Sequence, residues 1–365
     1  MRKYVYEDPL NFYLLTGIVD ENSGRFATWH YNDKGRAISS EHAGGVERQS
    51  LSFGGDAKVG PRWTDVTDAL SVTRRYTFTL NAGLWLVSSV DQPAGAGSAV
   101  ASSSTSYDKA GNLASHTDFN GTTTTYSYDV VRALQNSRTE ASGTPDARTI
   151  TTTWHPTWAL PDTVTEPNRN TKFEYDTKGN LIKKTITASN GDKRVWSWTY
   201  RDYGLLWTAT DPSNQVTTYT YDTKGNLATI SNPAGQITQF TNYDANGNLL
   251  SMIDINQQTT TFGYDLRGRL KTRKTGSEQT VFDYDLAGQL KVVHFPDGST
   301  LSYDYDAAHR LTDIRDSRNG RIHYDLFDDG NIKREDRYDP DGTLATALQQ
   351  VATQRATPAQ QAKAQ

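Results

Sequence analysis

The sequence predicts an all-β protein: a spiralling antiparallel β-sheet strip assembled from hairpin repeats of about 21 residues. Three observations lead there. The heptapeptide YDTKGNL occurs twice, at Tyr175–Leu181 and Tyr221–Leu227. Variants of the form Tyr-x-x-x-Gly-x-Leu recur along most of the chain at nearly constant spacing. The segments leading into them alternate Thr, Ser and aromatic residues at period two, the mark of a strand.

The heptad encodes a turn. Asp at i with Gly at i+3 suits a type I turn, the carboxylate accepting N–H groups inside it. Gly takes φ > 0 without steric cost, and a type I turn closed this way gives a three-residue hairpin loop with a one-residue bulge. Counting through YDTKGNL, Asp176 faces Asn180 and Tyr175 faces Leu181, so ring and aliphatic form a cross-strand pair. The signature positions expected to play this structural role are Tyr31 and Gly35; Tyr107, Gly111 and Leu113; Tyr175, Gly179 and Leu181; Tyr200, Gly204 and Leu206; Tyr221, Gly225 and Leu227; Tyr243, Gly247 and Leu249; Tyr264, Gly268 and Leu270; Tyr284, Gly288 and Leu290; and Tyr338, Gly342 and Leu344. Copies at Tyr128, Trp154 and Tyr305 lack the Gly, and the copy at Tyr324 (YDLFDDGNI) reads as carrying two extra residues.

A second ring commonly stands two residues before the signature Tyr, as at Phe173, Trp198, Tyr219, Phe262 and Phe282. Residues i and i−2 share a strand face, so each repeat adds two rings to one aromatic band. Before Tyr243 the ring is Phe240, three residues back, which predicts a local bulge. After each turn a second strand runs to another turn cluster, such as DPSNQVT, NPAGQIT or DINQQTT. A lone hairpin of this kind is marginal in water, so neighbours must pair into one continuous strip.

The pattern divides the chain into 1–106, a degenerate strand-rich region with Phe53 and Phe78 as worn signatures; 107–344, the repeat array; and 345–365, an Ala/Gln-rich segment read as a short helix to about Ala356 or a disordered tail. PAGAGSAVASSS at 93–104 reads as a small-residue loop, and 136–150 as a longer loop. Neither end carries a polar cap, so the chain reads as a slice of something larger.

Composition narrows the function. With 42 acidic and 38 basic residues there is no basic footprint for nucleic acid, and with no Cys there is no disulfide framework or thiolate metal site. No apolar run approaches a membrane span or a signal-peptide core. His30, His42, His116, His155, His294, His309 and His323 show no metal-ligand spacing, and His309 stands in the place of a turn Gly. Asp325–Asp336 invites comparison with a calcium loop but has Phe327 and Asp336 where ligands of the full set belong. No nucleotide fingerprint or nucleophile elbow is present. The expectation is therefore no catalytic residue, no cofactor and no metal. The alternative is a secreted or cell-surface carbohydrate-binding protein. Its 20 Tyr and 8 Trp could stack on sugars if the aromatic band faced solvent, with Trp154, Trp158, Trp196, Trp198 and Trp207 the rings that decide.

Strings such as YDTKGNL, YDANGNL and YDLRGRL at this spacing resemble the YD repeats of bacterial Rhs proteins, as does TGIVDENSGRFATWHYNDKGRAISSEHAGG near the start. The resemblance covers roughly residues 5–345. It implies a non-enzymatic segment of a hollow β-shell, like the related C components of insecticidal toxin complexes, that encloses and helps deliver a C-terminal toxic domain. Implied partners are the remaining shell segments, that toxin cargo and secretion machinery, often type VI or contact-dependent. Implied localisation is secreted or delivered, and cytoplasmic before export. The family core ends near a DPxGL motif linked to self-cleavage, which Asp339, Pro340 and Gly342 superficially match. YDPDGTL fits an ordinary repeat turn better, since it keeps the Tyr-to-Gly register of the other repeats and Pro suits the turn, and the tail beyond it is too short for a toxin.

Overall fold

Turn chemistry alone accounts for most of the architecture. In the computed structural model, which describes residues 1–55, 62–93, 99–327 and 330–349, the chain forms one sheet of 31 strands, from β1 (Lys3–Val5) to β31 (Leu344–Gln349). Every strand pairing among the described residues is antiparallel and joins neighbours in sequence, as between β15 (Arg169–Tyr175) and β16 (Leu181–Ala188). One three-residue 3-10 turn, Asp202–Gly204, is the single helical feature among these residues.

The β15–β16 hairpin shows how the heptad works. Gly179 N–H donates to Asp176 O at 3.1 Å, and Asp176 N–H to Asn180 O at 2.9 Å. Gly179 has φ 86°, the left-handed conformation that the turn requires. Asp176 Oδ1 accepts from the N–H groups of Lys178 and Asn180, and its Oδ2 from the Asn180 side chain. Tyr175 faces Leu181 while Glu174 faces Lys183, so Ile182 is an extra residue and a second bulge follows the turn. The opposite ends of the hairpins close with similar loops, such as Asp211–Gln215 with Asn214 at φ 61° and Asn232–Gln236 with Gly235 at φ 76°. The strip therefore has two turn-lined margins, here called the signature edge and the return edge.

Several expectations are corrected. Ala101–Ser104 belong to strand β9 (Ala101–Tyr107), while 94–98 lie outside the described residues. The stretch 136–150 is not a long loop but strand, turn and strand, β12 (Gln135–Glu140) and β13 (Arg148–Trp154). Its alternating Thr and Arg residues pair well despite the Gly and Pro between them. Near Tyr324 nothing is inserted: Leu326 faces Ile332 and takes the signature slot, so Tyr324 is the ring two residues earlier. The bulge expected before Tyr243 is present between Phe240 and Asn242. A helix beginning at Leu344 is not formed over Leu344–Gln349, which pairs with β30 (Ile332–Tyr338); an open sheet edge there offers a row of backbone partners. The rest of that tail lies outside the described residues.

The sheet is a single layer. Its buried apolar residues among those described are Ala27, Ile150 and Val293. It exposes 22,938 Å², against roughly 14,600 Å² for a compact monomer of this mass. The strip also returns to itself. Glu47 N–H, in the loop between β4 (Ala37–His42) and β5 (Gln49–Gly54), donates to Ala307 O at 2.8 Å, in the turn between β27 (Thr300–Tyr305) and β28 (Leu311–Asp316). From β4 to β27 is a step of 23 strands (27 − 4), so one gyre measures roughly 110 Å around and about 35 Å across, backbone to backbone, at about 4.8 Å per strand. The return edge of the first gyre meets the signature edge of the second.

Candidate functional site

Two features carry the architecture, a ladder of tyrosine hydroxyls along the signature edge and the seam where the gyres meet. Along the array the expected cross-strand pairs form: Tyr107 with Leu113, Tyr175 with Leu181, Tyr200 with Leu206, Tyr221 with Leu227, Tyr243 with Leu249, Tyr264 with Leu270, Tyr284 with Leu290 and Tyr338 with Leu344. The glycines Gly35, Gly111, Gly179, Gly204, Gly225, Gly247, Gly268, Gly288 and Gly342 all have positive φ. Tyr338 differs in place: its turn lies on the return edge, one strand after the Leu326 turn.

The sequence reading missed what the phenols do. Several reach back to the preceding hairpin and donate to the carbonyl of its signature Leu. Tyr200 donates to Leu181 O at 2.8 Å, Tyr243 to Leu227 O at 2.6 Å, Tyr264 to Leu249 O at 2.8 Å and Tyr284 to Leu270 O at 2.9 Å. Tyr175 uses Pro161 O, Tyr107 uses Val87 O and Tyr31 uses Leu15 O. The register gives the reason. Between hairpins, backbone pairing stops two residues short of the Leu, as at Lys183 with Ser197 and Ser251 with Thr261. The Leu carbonyl beyond is left without a strand partner, and the phenol supplies one. Burial raises the phenol pKa of Tyr175, Tyr200, Tyr243 and Tyr264. A Tyr-for-Phe distinction at one fixed offset was the available signal.

At the turns, Asn180, Asn226 and Asn248 donate side-chain hydrogen bonds to Asp176, Asp222 and Asp244. Those bonds, with backbone N–H groups, hold the three carboxyls below their ordinary range.

The seam joins residues that no local pattern links. Arg267 lies 3.3 Å from the buried Asp20 carboxylate, with its guanidinium 4.5 Å from the Phe26 ring centre. Nearby, His42 Nδ1 lies 2.9 Å from Glu47 Oε2 and His309 Nδ1 3.5 Å from Glu47 Oε1. His309 has φ 60°, so an imidazole occupies the left-handed slot that Gly fills elsewhere. This substitution was visible in the sequence; its partner across the gyre was not.

The remaining candidates fall elsewhere. Asp336, the last position of the calcium-loop comparison, sits in β30 beside Arg334, while Asp329 lies outside the described residues. Asp339, Pro340 and Gly342 form a turn of the common type, with Gly342 N–H donating to Asp339 O at 2.8 Å. Of the named tryptophans, Trp154, Trp158, Trp196 and Trp198 are half-buried and Trp207 is exposed beneath Arg201. Trp207, Tyr200, Tyr203 and Tyr221 line an open cleft of about 1220 Å³ on the signature edge. No helix among the described residues is long and apolar enough to cross a membrane, which says nothing of strands.

Residues 169–329 match the Teneurin YD-shell family, and residues 107–145 match the RHS repeat. No curated protein matches the chain by sequence. Among solved structures it is similar to TcdB2-TccC3, with TM-score 0.51 and 16% identity over 96% of this chain and 22% of that one. It is similar to TcdB2-TccC3 without its hypervariable C-terminal region, with TM-score 0.52 and 15% identity over 98% and 22%. The Photorhabdus luminescens Tc holotoxin pore matches with TM-score 0.52 and 15% identity over 97% and 22%. The chain thus spans about a fifth of the length of these structures, and at such identity the likeness is one of fold. The longer match falls where the turn recurs most regularly, and the two matches together support an Rhs/YD-repeat protein.

Proposed function

We propose that the chain is a non-catalytic wall segment of a hollow shell that encloses a toxic polypeptide and helps deliver it. The observation that carries this reading is the contact from Glu47 N–H to Ala307 O, which brings one turn of the open, one-layer ribbon against the next. A compact protein of this mass would bury far more surface; this one presents two broad faces, one of them inward. Allowing about 5 Å of side chain on each wall, the free width is roughly 25 Å. That admits an extended chain or a helix of about 10–12 Å, but not a folded domain of 100 residues, whose radius of gyration alone is about 13 Å. The cargo is accordingly an unfolded chain.

The resemblance to toxin-complex components supports association with other shell segments; the further partners in this reading are a C-terminal toxin and the machine that exports it, with type VI secretion and interbacterial competition as the setting. Fusing an unstructured reporter after Gln365 tests enclosure. The reporter is expected to resist a protease that destroys it as a free peptide; equal cleavage rates would rule enclosure out. Glycan binding is the second reading, favoured by exposed Trp207 and Tyr203 beside the cleft. A glycan array with wild type and Trp207→Ala decides it, since lectin activity requires binding that the variant loses.

A further inference from the structure

We propose that His42, Glu47 and His309 form a zinc-type divalent metal site that ties the first gyre of the strip to the second. The inference stands apart from the cargo reading, because it concerns how the ribbon is held closed, whatever it encloses. The three side chains come from opposite sides of the seam. His42 ends β4 and Glu47 follows in the β4–β5 loop, both on the return edge of the first gyre. His309 sits in the β27–β28 turn, on the signature edge of the second.

One donor atom from each lies within 4.8 Å of the other two. The nearest approaches are 2.9 Å from His42 Nδ1 to Glu47 Oε2 and 3.5 Å from His309 Nδ1 to Glu47 Oε1. A tetrahedral ion with bonds of about 2.0–2.2 Å holds its donors roughly 3.3 Å apart. Two imidazoles and one carboxylate are a known zinc donor set, leaving a fourth position for water, and imidazole favours zinc and its neighbours over magnesium or calcium. His42 and Glu47 border a cleft of about 370 Å³ that Glu41, Asp68 and Ala308, the neighbour of His309, also line, so there is room for that water and further negative charge nearby.

Two observations indicate that these side chains are more than surface decoration. The side chain of His309 is only 11% exposed, yet its Nε2 is buried without a hydrogen-bond partner and its Nδ1 reaches Glu47 only at 3.5 Å. The Nδ1 that faces Glu47 is too distant for a good hydrogen bond and is open to a further partner on that side, of which an ion is one kind. Backbone preference gives the second. Glu47 (φ 51°) and His309 (φ 60°) both hold left-handed conformations, and His309 does so in a slot that is Gly in the regular repeats. An L residue there is strained relative to Gly. The rings are also pre-set, His42 stacking on Phe26 at 4.9 Å and facing His309 at 6.1 Å between ring centres.

The test uses the untagged chain. Titration with zinc chloride by calorimetry is expected to show one ion per chain, and cobalt(II) the visible absorption of a tetrahedral site. Hydrogen exchange should slow on zinc addition at residues 43–50 and 305–310, where Glu47 N–H meets Ala307 O. His309→Asn is the informative variant: Asn tolerates the left-handed turn, so the fold stays while the ligand goes. It is expected to weaken zinc binding at least tenfold, as is Glu47→Gln, whereas His116→Asn, hydrogen-bonded to Thr105 within its own hairpin, leaves it unchanged. No stoichiometric binding, or binding that survives in both His309→Asn and Glu47→Gln, would overturn the proposal.

Discussion

The phenolic hydroxyl of Tyr200 donates to the carbonyl of Leu181 at 2.8 Å, nineteen residues back and one hairpin away. The bond sits where strand pairing between successive hairpins has run out, so it is a side-chain continuation of a backbone ladder. Its equivalents recur at Tyr243, Tyr264, Tyr284 and Tyr305.

Removing that hydroxyl isolates its contribution. Tyr200→Phe keeps the ring and strands the Leu181 carbonyl, at an expected cost of about 1–2 kcal/mol. Tyr338→Phe should change stability by less than about 0.5 kcal/mol, because its hydroxyl lies 3.5 Å from Asp336 rather than on a Leu carbonyl. Urea melts with matched slopes would show the difference; equal losses would deny the phenols a role as clamps.

Alkali should dissolve the ladder. Burial, the largest cause, raises the phenol pKa of Tyr175, Tyr200, Tyr243, Tyr264 and Tyr305. A folded value above the unfolded one, about 10, favours the neutral phenol in the folded state. Their contribution is therefore complete below about pH 10 and is lost as pH rises through the higher folded values. Ultraviolet titration should show phenolate appearing later than in urea-unfolded protein, together with loss of the strand circular dichroism signal. Coincident curves would contradict this.

Acid acts on the turns with the opposite sign. Asp176, Asp222 and Asp244 have lowered pKa values, chiefly through the Asn side chain four residues on. Their stabilisation is present above the unfolded value of about 3.9 and disappears as pH falls through the folded ones. Asn226→Ala should move Asp222 back toward the ordinary range, which carbon-detected NMR titration can follow. It should destabilise the strip at pH 7 and cease to matter in strong acid. An unmoved Asp222 titration would remove the side-chain bond from the account.

Backbone conformation at the turn can be tested where nothing else changes. A Cβ at Gly225 would meet nothing within 4 Å, and its φ is 86°. Gly225→Ala should cost about 1–2 kcal/mol from backbone strain alone, and Gly225→Asn distinctly less. Equal stability of all three proteins would contradict the left-handed turn.

The seam offers a variant of another kind. Arg267→Ala removes the partner of Asp20 and the cation over Phe26. Asp20 keeps its bonds to the N–H groups of Asn22 and Gly24, so the loss should be about 3 kcal/mol, at the lower end for a broken buried pair. Solution scattering should show a larger radius as the gyre opens. An unchanged radius would mean the seam holds without this pair.

What could be read from the amino acids followed their range of action. The Tyr175–Leu181 offset and the positive φ of Gly179 depend on seven consecutive residues, and both were legible. The stretch 136–150 was misread because Gly143 and Pro145 mask two strands separated by a short turn. At Tyr324 the motif outvoted its own register, since Leu326 fills a slot expected to be aromatic. The Ala/Gln stretch beginning at Leu344 has helical spacing, but the free edge of β30 captured its first residues. Asp20 with Arg267, and Glu47 with Ala307, were out of reach: curvature accumulated over some twenty strands brings them together, and no short segment encodes it.

The strictly sequential pairing of β1 through β31 has a mechanical consequence. Tension on one end of such a meander loads a single row of hydrogen bonds at a time, so the ribbon peels hairpin by hairpin instead of resisting as a block. Away from the seam between gyres, each released segment leaves its upstream neighbour intact, because stability there is held in nearest-neighbour contacts. A polypeptide with this layout can be drawn through a narrow opening under modest force and re-form on the far side in the order it emerges.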